Sequence, residues 1–582
     1  MERMLKKIFS MALLASASIV VADNSCCNSC NNDCCEVSPY IYNRSVSENA
    51  ARELAGWTGH VNLADMDRHY GSFSITPEYT RSFSPGKIAN RLFNCDLTNC
   101  CGINVIGSAA STVANGTTDW LADYFYLQKD YKGGFSVKPV MQNALVDLNL
   151  YWGMDEWANG LFFRIHAPIT WTKWDLGMCA NSNITGTQAG ITPLLVNANT
   201  LDSFVDFSCN GVKPDAVAAI DGNPALEFTQ LYYSRLCPCS HTKTALSDIQ
   251  ADFGWNFLND DDYHLGLFVR AAAPTGNRPH GQYLFEPMVG NGKSWELGGG
   301  LTSHAILWRS EEKEDKHFGF YVDANITHLF NAKQCRFFDL CKNGAWSRYN
   351  LAFKRATVSG VDTITFSPVA NLTAHEVKVS VGVQADVAAM FNYTNGNYGF
   401  DLGYDFWGRS CEKFNCKSCD NCCTTACTTG ACSTNSCNSC DTCSICECPT
   451  FYNELDGKTW SLAGATAGSS YSNANIHALG AVDAERVFLS QSDVNLEGAR
   501  TKGLSNKIFT HFSYNWYDRE DYIPYLGIGG EVEFGGGKSC CNDNKCCTTT
   551  TPSTTSCNSC CSGCNNTAIS QWGLWIKGGV SF

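Results

Sequence analysis

Nothing in this 582-residue chain offers about twenty unbroken apolar residues, so no ordinary helix can carry it across a bilayer. Charged residues make up only 17% of it, methionine (9) and proline (16) are sparse, and the formal charge is −14. An acidic chain of this kind lacks the electrostatic footprint of a nucleic-acid binder. The familiar catalytic signatures are missing too. There is no His-Glu-x-x-His and no Gly-x-Ser-x-Gly, and Gly298-Gly299-Gly300 is not followed by the Lys-Ser/Thr of a phosphate loop. No enzyme, cofactor or metal is expected.

What is present begins with an export signal. Arg3, Lys6 and Lys7 precede a short apolar run, Ile8 to Val21, and Val20-Val21-Ala22 is a small-residue cleavage site before Asp23. Residues 1–22 therefore read as a signal peptide, with no cysteine directly after the site to suggest a lipoprotein. An exported chain without an apolar helix can span a membrane only with strands.

A membrane strand shows apolar side chains to lipid and more polar ones to the lumen, in strict alternation. Segment 245–257 does this, with Ile249, Ala251, Phe253, Trp255 and Phe257 opposite Asp248, Gln250, Asp252 and Asn256. The turn Asn259-Asp260-Asp261-Asp262 and a second alternating segment, 264–273, complete a hairpin. The design recurs in the pairs 140–150 and 161–172, 295–307 and 318–330, 377–391 and 398–407, and 506–516 and 522–534, with single strands at 72–83 and 569–582. These segments are longer than the five or six residues usual in a soluble sandwich. Walking back from a periplasmic Phe582 puts every short turn on one side, with twelve strands in all. The stretches 341–375 and 451–500 could hide further pairs, giving up to sixteen, and Pro77 and Pro168 sit inside proposed strands. The fold expected is an all-β, antiparallel, up-and-down transmembrane barrel.

In the last segment Trp572, Leu574, Ile576, Val580 and the terminal Phe582 share one face. This ending resembles the assembly signal of Gram-negative outer-membrane barrels, which closes a strand in Phe. The resemblance implies an outer-membrane, porin-like protein, with membrane lipid and the barrel-assembly machinery as partners.

The 34 cysteines avoid the proposed strands. Five lie at 26–35 in the mature tail, three at 95–101, twelve at 411–448 and eight at 540–564, with the rest in other outer loops (84–134, 175–244, 408–500 and 535–568 are the long ones). The CxxC pairs Cys416/Cys419, Cys437/Cys440 and Cys557/Cys560 have metal-ligand spacing, but in an exported chain disulfides are the favoured reading. Bridges to other copies of the chain or to other envelope proteins are open to them. In composition the pattern is loosely similar to the cysteine-rich chlamydial major outer-membrane proteins.

The faces assigned to the lumen carry Glu78, Asp147, Asp248, Asp252, Glu296, Asp323, Asp386, Asp401, Asp405, Glu531 and Glu533 against Arg164, Arg270, Lys378 and Lys577. His166 and His511 also point inward by pattern, without a visible partner. An acid-lined pore concentrates cations, so a channel for small solutes with modest cation selectivity is expected. The alternatives are a structural or adhesive surface protein anchored by its barrel, and a transporter for hydrophobic substrates with an N-terminal plug. Residues 23–71 read as a periplasmic or luminal tail, and within it 46–57 reads as a short helix that could plug the lumen.

Overall fold

In a computed structural model of the protein, the described residues are 37–42, 44–64, 68–93, 101–109, 119–182, 200–220, 223–312, 315–415, 451–466, 486–518, 521–536 and 564–582. The signal peptide, the tail cysteines and Cys416, Cys419, Cys437, Cys440, Cys557 and Cys560 lie outside them.

Twelve antiparallel strands close into a barrel. They are β1 (Tyr70–Ser82), β2 (Val140–Gly153), β3 (Leu161–Asp175), β4 (Ile249–Asp260), β5 (Tyr263–Ala273), β6 (Glu296–Arg309), β7 (Lys316–Arg336), β8 (His375–Asn395), β9 (Tyr398–Arg409), β10 (Thr501–Asn515), β11 (Ile523–Gly535) and β12 (Gln571–Ser581). Each pairs with its neighbour in sequence, and β12 pairs back onto β1. Closure leaves no sheet edge in the hydrocarbon. The last residue joins the seam, because Phe582 and Gly71 exchange both backbone hydrogen bonds at 2.9 Å. A side chain at Gly71 would strike the Phe582 ring.

Alternation sorts the two faces as a bilayer requires. Phe253, Trp255, Leu267, Val269, Ile508, Ile528, Leu574 and Ile576 are all at least half exposed on the outside, while Gln250, Asp252, Asn256 and Lys577 between them are buried. This apolar exterior is the surface lipid covers.

Both prolines fall at interruptions of the ladder. Pro168 lies opposite the break between His241–Leu246 and β4, which pair with β3 on either side of it, and its carbonyl accepts from the Ser247 N–H at 2.8 Å. Pro77 falls where the β1–β12 pairing skips two residues. The missing proline N–H thus costs no regular ladder bond there.

The strands of 341–375 and 451–500 exist but do not enter the barrel. Leu351–Val358 and Val361–Pro368 form a hairpin in a separate five-stranded sheet with Ala225–Phe228, Asp456–Thr466 and Arg486–Ser490. A four-stranded sheet of Cys101–Ile106, Trp120–Leu121, Lys132–Val137 and Cys179–Ser182 lies in the same loop region. Together they build a cap at the long-loop end, with an aromatic core around Trp120, Phe125, Phe135, Phe204 and Tyr349. Disulfides Cys209–Cys237 and Cys411–Cys564 tie the loops.

Two sequence expectations need correction. Lys378 is exposed, not luminal. In β8 both Val383 and its flanks break the alternation, and β7 shifts register against it between Thr327 and Ala332. Beyond such a bulge the in–out parity inverts, so Val377 and Val379 turn inward instead. Cys335 lies within β7, because that strand runs 21 residues and projects beyond the part that alternates regularly.

Candidate functional site

The barrel is not empty. Residues 37–42 and 44–64 run through it from the long-loop end to the short-turn end. At the top, Ser38 donates to the Arg91 carbonyl at 2.9 Å, Ile41 is buried in the cap core, and Tyr42 exchanges bonds with Thr567. Arg336 and Arg409 sit over the Tyr40 and Tyr42 rings at 3.4 and 3.6 Å, a cation–π arrangement. At the bottom, Asn62 accepts from Tyr151 and from Asn256, each at 2.9 Å.

Between these ends lies one turn and a half of helix, α1 (Ala50–Leu54), much shorter than the 46–57 expected. Asn49 caps its start, accepting from the Arg52 N–H at 3.2 Å. Gly56, at φ +74°, ends it. The C-terminal carbonyls are held by a barrel side chain. Lys577 of β12 donates to the carbonyls of Arg52 (2.7 Å), Glu53 (3.0 Å) and Ala55 (2.6 Å).

The wall acids meet this segment. Arg44 pairs with Asp386 (2.7 Å), Asp405 (2.9 Å) and Glu533 (3.4 Å). Arg52 pairs with Glu78 (2.5 Å) and Asp147 (3.0 Å). Glu53 faces His166 (3.3 Å) and Arg270 (3.4 Å) from the other direction, and Glu48 accepts from Trp407 at 2.9 Å and Gln384 at 2.5 Å. The Gly56 N–H donates to Asp401 at 2.9 Å, and His511 stands 3.4 Å from the same carboxylate.

Other sequence-assigned lumen residues pair within the wall. Arg164 bridges Asp252 and Asp323, and Arg270 reaches Asp252 at 2.7 Å. Lys507 holds Glu531 at 3.0 Å. Asp248 accepts from the Asn291 N–H at 2.7 Å, and Glu296 from the Asn291 side chain at 2.5 Å. All of these side chains are buried. A buried charge is tolerable only when paired and hydrogen-bonded, and here every such carboxylate has a partner.

The cations Arg44 and Arg52 were not among the sequence-assigned lumen residues; Arg52 falls within the 46–57 stretch read as a lumen plug, but nothing local marks which wall acids it or Arg44 meets. Lys507 was also absent from that set, yet it shares a face with His511 four residues on, and that parity could have found it. In the terminal segment, Leu574, Ile576 and Phe582 face outward, and Trp572 and Val580 are partly exposed on the same side.

No protein-family model matches this chain, and no curated protein sequence does. Among solved structures it is similar in outline to an outer-membrane channel from Pseudomonas putida F1, at a TM-score of 0.30 and 8% identity, over 88% of this chain and 96% of that one. It is similar also to a mutant of the TodX monoaromatic hydrocarbon channel (TM-score 0.24, 7% identity, 88% and 89% covered). A Pseudomonas aeruginosa FadL homologue scores 0.24 at 6% identity, with 89% and 90% covered.

Proposed function

We propose that this chain is an outer-membrane channel for small solutes, held shut by its own N-terminal segment, with the long-loop end outward. The observation that carries the reading is how the lumen is filled. An anchor could fill its barrel with apolar side chains at no electrostatic cost. Here the wall instead carries many carboxylates, and a separate stretch of chain brings Arg44 and Arg52 to them. Buried ion pairs are poor stabilisers compared with apolar packing, so a polar wall makes sense where water and ions replace the segment. Among the named wall groups, acids outnumber bases, so an opened lumen would favour cations modestly.

Planar-bilayer recording of the purified full-length protein tests this. The wild type is expected to be mostly silent. Arg44→Gln with Arg52→Gln weakens the segment's hold and is expected to give discrete, cation-selective steps. Silence from that variant, with insertion confirmed independently, would sink the channel reading. It would favour the second reading, a cross-linked surface protein, which the aromatic-cored, disulfide-tied cap supports.

A further inference from the structure

Asn49, the cap of α1, is also where the plug meets β10 and β11, and three groups converge on its side-chain amide. Lys507 of β10 donates through Nζ to Oδ1 at 2.9 Å, and the Arg52 N–H donates to the same oxygen at 3.2 Å. The amide nitrogen, Nδ2, donates to Glu531 of β11 at 3.2 Å. Glu531 also holds Lys507, at 3.0 Å. Two donors on one side and an acceptor on the other fix which end of the amide is oxygen. Lys507 is 1% exposed, Glu531 4% and Asn49 5%, so the three meet away from water.

Capping uses only the oxygen. It does not account for an amine and a carboxylate on either side of one amide, an arrangement suited to transamidation. Lys507 must first lose a proton to become a nucleophile. Glu531 is the one carboxylate in ion-pair contact with it among the described residues, because Arg44 engages Asp386, Asp405 and Glu533. Burial lowers the cost of neutralising such a pair. The Nζ lone pair then attacks Cγ of Asn49, one bond beyond the oxygen it already touches, after a turn of the soft terminal amide torsion. Electrons pass to Oδ1, where the Arg52 N–H meets the developing charge. Glu531 gives its proton to Nδ2 and takes one from Nζ. The Cγ–Nδ2 bond breaks, ammonia leaves, and a secondary amide remains. One amide replaces another, so no oxidant or co-reactant is needed.

We infer that Lys507 and Asn49 join in an isopeptide bond, formed once within the chain with Glu531 as proton carrier, which ties the plug covalently to the barrel wall. The bond does not depend on the channel reading, since it would hold the segment equally in a closed anchor. In a channel it makes the plug captive: tied at Asn49 alone, the stretches on either side, with Arg44 and Arg52, stay free to swing but the segment does not leave.

Mass spectrometry of the full-length protein, purified from membranes, then reduced, alkylated and digested with trypsin, tests this. The wild type is expected to yield residues 45–52 joined to residues 503–519, uncut after Lys507 and lighter than the two peptides together by one ammonia. Glu531→Gln removes the proton carrier and is expected to abolish the branched peptide and release residues 503–507 and 508–519 separately, with heat-modifiable gel mobility retained as evidence of a folded barrel. Lys507→Arg keeps the positive charge beside Glu531 and is also expected to abolish it, which keeps the test decisive if Glu531→Gln does not fold. Complete cleavage after Lys507 in the wild type, or a branched peptide that survives Glu531→Gln, would overturn the assignment and leave a hydrogen-bonded helix cap.

Discussion

Arg52 of the plug helix lies 3.0 Å from Asp147 of β2, and both side chains are almost wholly buried. Glu78 of β1 holds the same guanidinium from the next strand, and His166 of β3 holds the far side of Asp147 at 3.3 Å. Two consecutive strands therefore grip one residue of the plug, and a third braces the grip from behind.

Removing the arginine leaves two carboxylates buried without their cation. Breaking one partner out of such a pair costs about 3–5 kcal/mol. Arg52→Met is expected to lower the temperature of heat-modified gel mobility and to expose the 44–64 segment to protease. Adding Glu78→Gln and Asp147→Asn is expected to restore most of the loss. A double-mutant cycle checks this, and additivity of the single effects would show that the residues do not act together.

Lys577 makes a different link, between the strand that closes the barrel and the end of the plug helix. Its ammonium satisfies three carbonyls that α1 cannot satisfy within itself. Lys577→Met is expected to loosen the plug by about 1–3 kcal/mol, the cost of leaving buried acceptors unmade. Conductance should rise while strand content by circular dichroism stays constant; a drop in strand content would mean that Lys577 serves closure of the barrel instead.

The barrel itself was legible in the sequence, because period-two alternation is a local signal and the pairing of consecutive hairpins follows from short turns. Strand number and turn side came from that alone. Parity failed only where a bulge intervened, at Lys378, since a bulge leaves no mark in an alternating pattern until its two neighbours are seen to share a face. The cap strands Leu351–Val358 and Val361–Pro368 carried a strand signal but no signal of destination. The least legible part was the candidate site. Asp147 and Asp386 announce a polar lumen by position, whereas Arg44 and Arg52 reach them from more than 90 residues away in sequence, and no local pattern encodes that contact.

The outward face gives a sharper contrast. Ile528 and Glu531 lie three residues apart on β11, yet Ile528 is 58% exposed and Glu531 4%. Ile528→Lys places a charge against lipid and is expected to cost about 2–4 kcal/mol if the position is near the bilayer midplane. Reversible folding into liposomes under denaturant measures it. An effect below about 1 kcal/mol would place Ile528 at the interface instead.

Cys411 and Cys564 close 153 residues of chain, and Thr567, three residues past the second cysteine, is the residue that clasps Tyr42 of the plug. Loss of a crosslink over a loop this long costs roughly 2–5 kcal/mol. Cys411→Ser with Cys564→Ser is expected to raise the frequency of channel openings and to make the remaining openings less sensitive to reductant. Unchanged gating would show that the Thr567 clasp holds without the bridge.

The cap contributes a pH dependence of its own. Asp123, in the short turn Ala122–Phe125, is fully buried and accepts from the Ser108 N–H at 2.8 Å and its hydroxyl at 2.7 Å. Desolvation outweighs those bonds and raises its carboxyl from 3.8 to about 6. A carboxyl whose folded value is raised holds its proton more tightly in the folded cap than in the unfolded chain. The stability this gives is complete below pH about 3.8 and is lost as pH rises to about 6, up to about 3 kcal/mol. Limited proteolysis of the cap is therefore expected to be slower at pH 5 than at pH 7.5 in the wild type. Asp123→Asn, which cannot ionise, removes that difference; if the variant keeps it, the dependence belongs to another group of the cap.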